Sequence, residues 1–437
     1  MKKRRGGEGI PFSSRKRKSH HISSSSTSSS ASRPSNSSSR RSSGVGRRRS
    51  EPSSGDDGQG RKKRRKKGRP VRGGVRSVCV TKPGGYDVLK LREDGVEPTS
   101  GPNLRILNLD EDQLVVVDVT HSGVNYADIC IRWGLYSSAN KFASYPLVLG
   151  FEFSGVVSEV RSKKAHKFRV GDEVFGVSMF GGYSNRVIVP HYQLFRRPKT
   201  LASDKAAGLC AVGLTALYAI RDLANVQPGS TILVHSAAGG VGSMLCQIGK
   251  YLGARVVGVV GSAHKVPYLE SLGCDAVIAK AKRSQDEWWK DVDDAAPQGF
   301  QAVFDANGVA TLQQSYDRLA AGGRLVCYGF HSMLPKRGGV LSVWQWIKMA
   351  ISWLRSPTFD PMKMTPQNRS VMAFNLSYMF DRRELLEESM SFLLRLHQEG
   401  HLAVAKTTIY PLSQVAQAHR DIESGMTVGK LILDCSS

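Results

Sequence analysis

The stretch from Thr231 to Lys265 constrains the fold of this chain more than any other. Thr231-Ile232-Leu233-Val234-His235 reads as a short apolar strand, and Ser236-Ala237-Ala238-Gly239-Gly240-Val241-Gly242 follows it directly. Val241, Leu245, Ile248 and Leu252 then recur at the spacing of one helical face. Val256 to Val260 is a second apolar strand, so the unit closes within about 30 residues, as a βαβ unit does. The small residues have separate tasks. The first permits a tight turn, Gly239 lets the backbone approach a pyrophosphate, and Gly242 lets helix and strand pack closely. The helix N-terminus adds unpaired N–H groups and a positive dipole end. Ala238, Gly239, Gly240, Val241 and Gly242 are therefore expected cofactor contacts.

The second strand refines the cofactor. An NAD site would carry Asp or Glu near its end to hold the ribose diol. Val260-Gly261-Ser262-Ala263-His264-Lys265 stands there without an acid. Gly261, Ser262 and Lys265 suit a 2′-phosphate, so NADPH is expected in preference to NADH.

The formal charge of +25 suggests a nucleic-acid binder until it is localised. Residues 1–76 hold 24 of the Lys and Arg against 4 of the Asp and Glu, so the excess belongs to a tail. Basic clusters such as Arg61-Lys62-Lys63-Arg64-Arg65-Lys66-Lys67 punctuate a serine-rich background there. Such a segment buries too little surface to offset the entropy of ordering, so residues 1–74 read as disordered. Its clusters are compatible with a nuclear signal, an anionic membrane surface, nucleic-acid phosphates, or no role in catalysis. Seven cysteines without a CxxC pair point to reduced thiols in an intracellular, cytoplasmic setting. No apolar run reaches the ~18 residues needed to span a bilayer.

Alternating strands with Gly and Pro punctuation begin at Val75 and include Gln113 to Val119. This β-rich segment precedes the α/β one, which implies two domains. Three motifs stand out. They are Ser122-Gly123-Val124-Asn125-Tyr126-Ala127-Asp128 with Arg132-Trp133-Gly134-Leu135-Tyr136, then Leu149-Gly150-Phe151-Glu152, then Gly171-Asp172-Glu173-Val174-Phe175-Gly176. With the fingerprint they resemble the medium-chain dehydrogenase/reductase superfamily, in its zinc-free quinone oxidoreductase branch. Asp360-Pro361-Met362, Asn368-Arg369-Ser370-Val371 and Phe374-Asn375-Leu376 narrow the resemblance toward the vesicle amine transport protein homologues.

The resemblance implies a β-rich GroES-like substrate domain over 75–200, completed by 400–437. It also implies a doubly wound parallel Rossmann domain over 201–399. Where zinc-dependent relatives have Gly-His-Glu this chain has Gly150-Phe151-Glu152, and Asn125 stands in place of a ligand cysteine. No metal is therefore expected. Asn125 is expected to hydrogen-bond the nicotinamide side of the pocket, with Asp128 ordering its loop and Glu152 bonding between domains. Tyr136 and Arg132, on the same loop, are expected to line the substrate pocket or supply a proton. Thr215 is expected near the nicotinamide, unless its hydroxyl bonds back to its own turn. Lys280 sits where relatives often carry a tyrosine near the 2′-phosphate. Gly308 and Tyr328 follow strands that end where doubly wound folds bind ligands. Gly429-Lys430 matches the closing motif that the resemblance implies, with a plain surface charge as the alternative for Lys430.

Val343 to Arg355 places its tryptophans on one half of a helical wheel and Gln345, Lys348, Ser352 and Arg355 on the other. Burial against this subunit or a partner is the preferred reading, and a membrane interface the other. The chain is thus expected to be an NADPH-dependent, zinc-independent reductase of a quinone or another conjugated carbonyl, assembled as a homodimer. The rival expectation is a catalytically weak nucleotide-binding protein that acts as a membrane- or vesicle-associated partner.

Overall fold

The structure, a computed structural model, describes residues 74–93, 113–161, 167–333, 343–404 and 406–436. The basic tail, with every role expected of it, lies outside the described residues apart from Gly74. Eight strands come first: β1 (Ser77–Val80), β2 (Leu89–Arg92), β3 (Leu114–Val124), β4 (Leu147–Val148), β5 (Glu152–Val160), β6 (Glu173–Val177), β7 (Arg186–Pro190) and β8 (Leu194–Arg196). Six more follow: β9 (Thr231–His235), β10 (Arg255–Val260), β11 (Ala276–Ala279), β12 (Phe300–Asp305), β13 (Leu319–Cys327) and β14 (Ser370–Ala373). β15 (Thr407–Pro411) and β16 (Lys430–Asp434) come last.

β9 to β14 form one parallel sheet in the order β11-β10-β9-β12-β13-β14. The order reverses between β9 and β12, and doubly wound sheets bind ligands in the crevice at such a reversal. Ile232, Leu233 and Val234 of β9 are fully buried, as both covered faces of a parallel sheet require. The fingerprint helix runs from Gly240 to Tyr251.

β2, β1 and β4 make a small antiparallel sheet, while β15-β16-β3-β5-β6-β8 make a larger one with β7 also on β3. β16 pairs antiparallel with β3, setting Leu431 opposite Val124 and Ile432 opposite Gly123. The C-terminal return thus rejoins the first β-rich segment. β3 is longer than its expected 113–119 limits, because pairing with β5 and β16 carries it on to Val124. Ser122-Gly123-Val124 is therefore strand, and Asn125 begins the helix Tyr126–Arg132 immediately beyond it. Gly123 has no room for a side chain, since a Cβ there would lie 2.5 Å from both the Ala207 carbonyl oxygen and Glu152 Oε1.

The amphipathic helix forms over Val343–Leu354. On its apolar face Trp344 is 73% and Trp353 67% exposed among the described residues. Among the described residues, no helix is long and apolar enough to cross a membrane.

Candidate active site

At the sheet reversal, Ser236 turns the chain out of β9 with φ +52, and Gly239 caps the fingerprint helix. A Cβ on Gly242 would lie 2.5 Å from the Ser236 carbonyl oxygen and 2.6 Å from Ala237 Cα, so only glycine lets this helix sit on its strand. A Cβ on Gly239 would meet only the Ser236 oxygen, at 3.2 Å, which leaves the loop open to a ligand. Across the reversal, Ser236 Oγ donates to Asn307 Oδ1 at 2.9 Å. Among the described residues, Asn307 Nδ2 is buried without a hydrogen-bond partner. Gly308 follows with φ +87 and packs against Phe330. Tyr328 donates its backbone N–H to the Asp305 carbonyl at 3.1 Å, and burial keeps its phenol protonated. These groups fit a dinucleotide: orphan helix N–H groups, a spare amide donor and no steric block at Gly239.

A buried polar cluster lies beside the loop. Lys430 is 4% exposed. Its Nζ donates to Asn125 Oδ1 at 2.6 Å and pairs with Glu152 Oε1 at 2.7 Å. Asn125 Nδ2 donates to the same Glu152 oxygen at 2.9 Å. Glu152 Oε2 accepts from the Ala211 backbone N–H at 2.7 Å, so the carboxylate ties β5 to the helix Cys210–Leu217. Of the two readings of Lys430, the surface charge falls: a buried carboxylate needs a counter-ion, and β16 brings this one in. Gly429 N–H also donates to the Ala238 carbonyl at 2.8 Å, stapling the return to the fingerprint loop.

Asp128 accepts from the Asn125 backbone N–H at 2.8 Å, from Gly150 N–H at 3.0 Å and from Tyr183 Oη at 3.0 Å. It therefore orders the Asn125 turn, and burial lifts its pKa to about 6 against those three bonds. Tyr136 packs on Phe151, with ring centroids 5.6 Å apart, and donates to Asn375 Oδ1 at 3.0 Å. Burial pushes its phenol up to about 12, so it holds its proton.

Arg132 is a correction. It is fully buried, with its guanidinium 2.7 Å from Glu423 Oε1, 3.3 Å from His419 Nδ1 and 4.5 Å from the Tyr86 ring centroid. Those partners come from the helix Val415–Ser424 and the β1–β2 connection, so Arg132 locks the fold and offers nothing to a substrate. Thr215 Oγ1 donates to the Ala211 carbonyl at 2.7 Å, the bond within its own helix. Lys265 Nζ donates to the Gly425 carbonyl at 2.6 Å, and Ser262 Oγ lies 3.5 Å from Met426 Sδ. Gly261 has open space where a Cβ would stand. The Lys280 ammonium sits 5.3 Å from the Trp288 ring centroid.

Sequence reasoning missed Lys430, Asn307 and His331. The His331 ring lies 4.0 Å from that of Tyr126, and burial lowers its pKa to about 4. Asn307 was within reach of the sequence, as the polar residue directly after β12 at the reversal.

Two family descriptions match this chain. An alcohol dehydrogenase GroES-like domain covers residues 111–199, and a zinc-binding dehydrogenase covers residues 272–433. The quinone oxidoreductase of Salmonella typhimurium is 32% identical over 317 residues, which is 71% of this chain and 88% of that protein. The chain belongs to the medium-chain dehydrogenase/reductase superfamily. Its sheets are accordingly the GroES-like and Rossmann parts of a medium-chain dehydrogenase/reductase. The chain is also similar to the synaptic vesicle membrane protein VAT-1 homolog of Rattus norvegicus, at 29% identity over 362 residues, 82% of this chain and 84% of that one. Among solved structures, that of Escherichia coli quinone oxidoreductase complexed with NADPH is 27% identical, with a TM-score of 0.67 over 82% of this chain and 99% of that chain.

Proposed function

We propose that this chain is an NADPH-dependent oxidoreductase that needs no zinc and reduces a quinone or another conjugated carbonyl. The cluster of Asn125, Glu152 and Lys430 beside Phe151 carries the reading. An amide and a phenyl ring stand at positions where zinc-dependent members place thiolate and imidazole ligands. That donor set does not fit a tetrahedral zinc. When bound, NADPH supplies the hydride, and the protein's part is to bind and orient. The first N–H groups of the fingerprint helix face a pyrophosphate, and Asn307 Nδ2 offers a further donor. Ser262 and Lys265 would hold a 2′-phosphate once Lys265 exchanges the Gly425 carbonyl for it. Asn125 faces the nicotinamide end, and Tyr136 keeps a proton next to Phe151. The division of the chain near residues 200 and 400 is part of the same proposal.

Support comes from relatives named quinone oxidoreductase and 2-haloacrylate reductase, and from the solved Escherichia coli quinone oxidoreductase complexed with NADPH. The test is NADPH consumption by the purified chain with a panel of quinones and enones. Turnover preferring NADPH to NADH, with Lys265→Ala weakening NADPH far more than NADH, is expected. Intact NADPH binding without turnover would overturn the enzymatic reading, and stoichiometric zinc in the active protein would overturn the metal-free one. One observation favours a second reading, a membrane- or vesicle-associated nucleotide binder: the exposed Trp344 and Trp353 of the helix Val343–Leu354.

A further inference from the structure

We propose that Lys430 is a positioning residue that fixes the amide of Asn125, so that Asn125 meets a bound cofactor as a hydrogen-bond acceptor only. An ammonium has donors and no acceptor, and an ionised carboxylate has acceptors and no donor. Lys430 Nζ at 2.6 Å and Glu152 Oε1 at 2.9 Å stand on opposite ends of the Asn125 amide. Turning that amide over would put NH₂ against the ammonium and oxygen against the carboxylate, so the two charges select one orientation. In it, the Nδ2 hydrogens go to Glu152 and toward the Gly123 carbonyl at 3.4 Å. Oδ1 has two lone pairs, and Lys430 takes one. The remaining capacity of Asn125 is a single acceptor site, which matches a ribose hydroxyl or a carboxamide NH₂ at the nicotinamide end of a dinucleotide.

The lysine also sets where this amide lies relative to the phosphate loop. Its neighbour Gly429 holds the Ala238 carbonyl at 2.8 Å, and a Cβ on Gly240 would meet Lys430 Cδ at 3.4 Å. One dipeptide thus sets the Asn125 amide in register with the phosphate loop.

This inference rests on the NADPH reading above, and the experiment separates the two. Affinities for NADPH and for adenosine 2′,5′-bisphosphate, which lacks the nicotinamide end, are measured with thermal midpoints. The proteins compared are the wild-type chain, Lys430→Met, Lys430→Arg and the double variant Glu152→Gln/Lys430→Met. Lys430→Met should weaken NADPH roughly tenfold, the scale of one hydrogen bond, and leave the bisphosphate unchanged. Lys430→Arg should retain most of the NADPH affinity. The double variant removes the lone buried carboxylate, so it should regain the midpoint lost by Lys430→Met without regaining NADPH affinity. Unchanged NADPH affinity in Lys430→Met, equal losses for both nucleotides, or NADPH affinity restored in the double variant would each overturn the proposal. Wild-type protein that binds NADPH without turnover removes the reductase reading alone. Wild-type protein that binds no NADPH removes both.

Discussion

His331 couples the end of the parallel sheet to Tyr126 at the start of the Asn125 helix, and it does so as a neutral imidazole. Burial is the largest cause of its lowered pKa of about 4; the Lys280 charge adds to it and Asp305 opposes it. Unfolded, the ring would titrate near 6.5. Between those values the unfolded state binds more protons, so the stability His331 contributes is present above the upper value and lost toward the lower. His121, His235 and His419 are lowered too, all chiefly by burial. Asp128 runs the other way. Burial raises it to about 6 from 3.8, so its carboxyl favours the fold as acid is added through that window. Four imidazoles against one raised carboxyl predict a net fall of the thermal midpoint between about pH 6.5 and pH 4. His331→Gln should make that fall shallower, by on the order of 1 kcal/mol across the window. A slope unchanged by the substitution would show that this ring is not held neutral.

At the scale of elements, the fingerprint loop separates stability from ligand access. Gly242→Ala forces a methyl against the backbone of Ser236 and Ala237, which cannot give way independently of β9. The expected cost is about 1–3 kcal/mol in chemical denaturation, with nucleotide binding lost alongside. Gly239→Ala meets a single oxygen at 3.2 Å in an ordinary extended backbone, so its denaturation midpoint should barely move. Its nucleotide affinity should drop, because the methyl stands where a phosphate would approach. Equal denaturation midpoints for the two variants would sink this assignment. This loop was legible in the sequence because its logic is local: strand, small residues, helix and strand within one short stretch. The Asn125 cluster was legible only in part. Asn125 and Glu152 carried motif context, but a lysine in a terminal Gly-Lys pair gives no local sign of burial. Its partners lie in strands β3 and β5. Arg132 failed in the opposite sense. Its loop pointed to the pocket, while its side chain was claimed by the distant Glu423.

For the whole molecule, the uncovered face of Val343–Leu354 is the feature that a single chain leaves unresolved. Trp344, Ile347, Ile351, Trp353 and Leu354 are exposed together, which amounts to a contiguous apolar surface. The expected cover is a second copy, so sedimentation should report a dimer and the double substitution Trp344→Glu/Trp353→Glu a monomer. A monomeric wild-type chain would leave that face to another surface. Lys430, by contrast, is covered from within. It bonds to a residue 305 positions earlier, and Gly429 beside it bonds to the fingerprint loop. During synthesis, Asn125 and Glu152 leave the ribosome long before their counter-ion exists. Until β16 arrives, the carboxylate has no cation and the Ala238 carbonyl lacks its partner. The cofactor groove thus cannot be completed until β16 has been made, 305 residues after Asn125, and nucleotide capture waits on that strand.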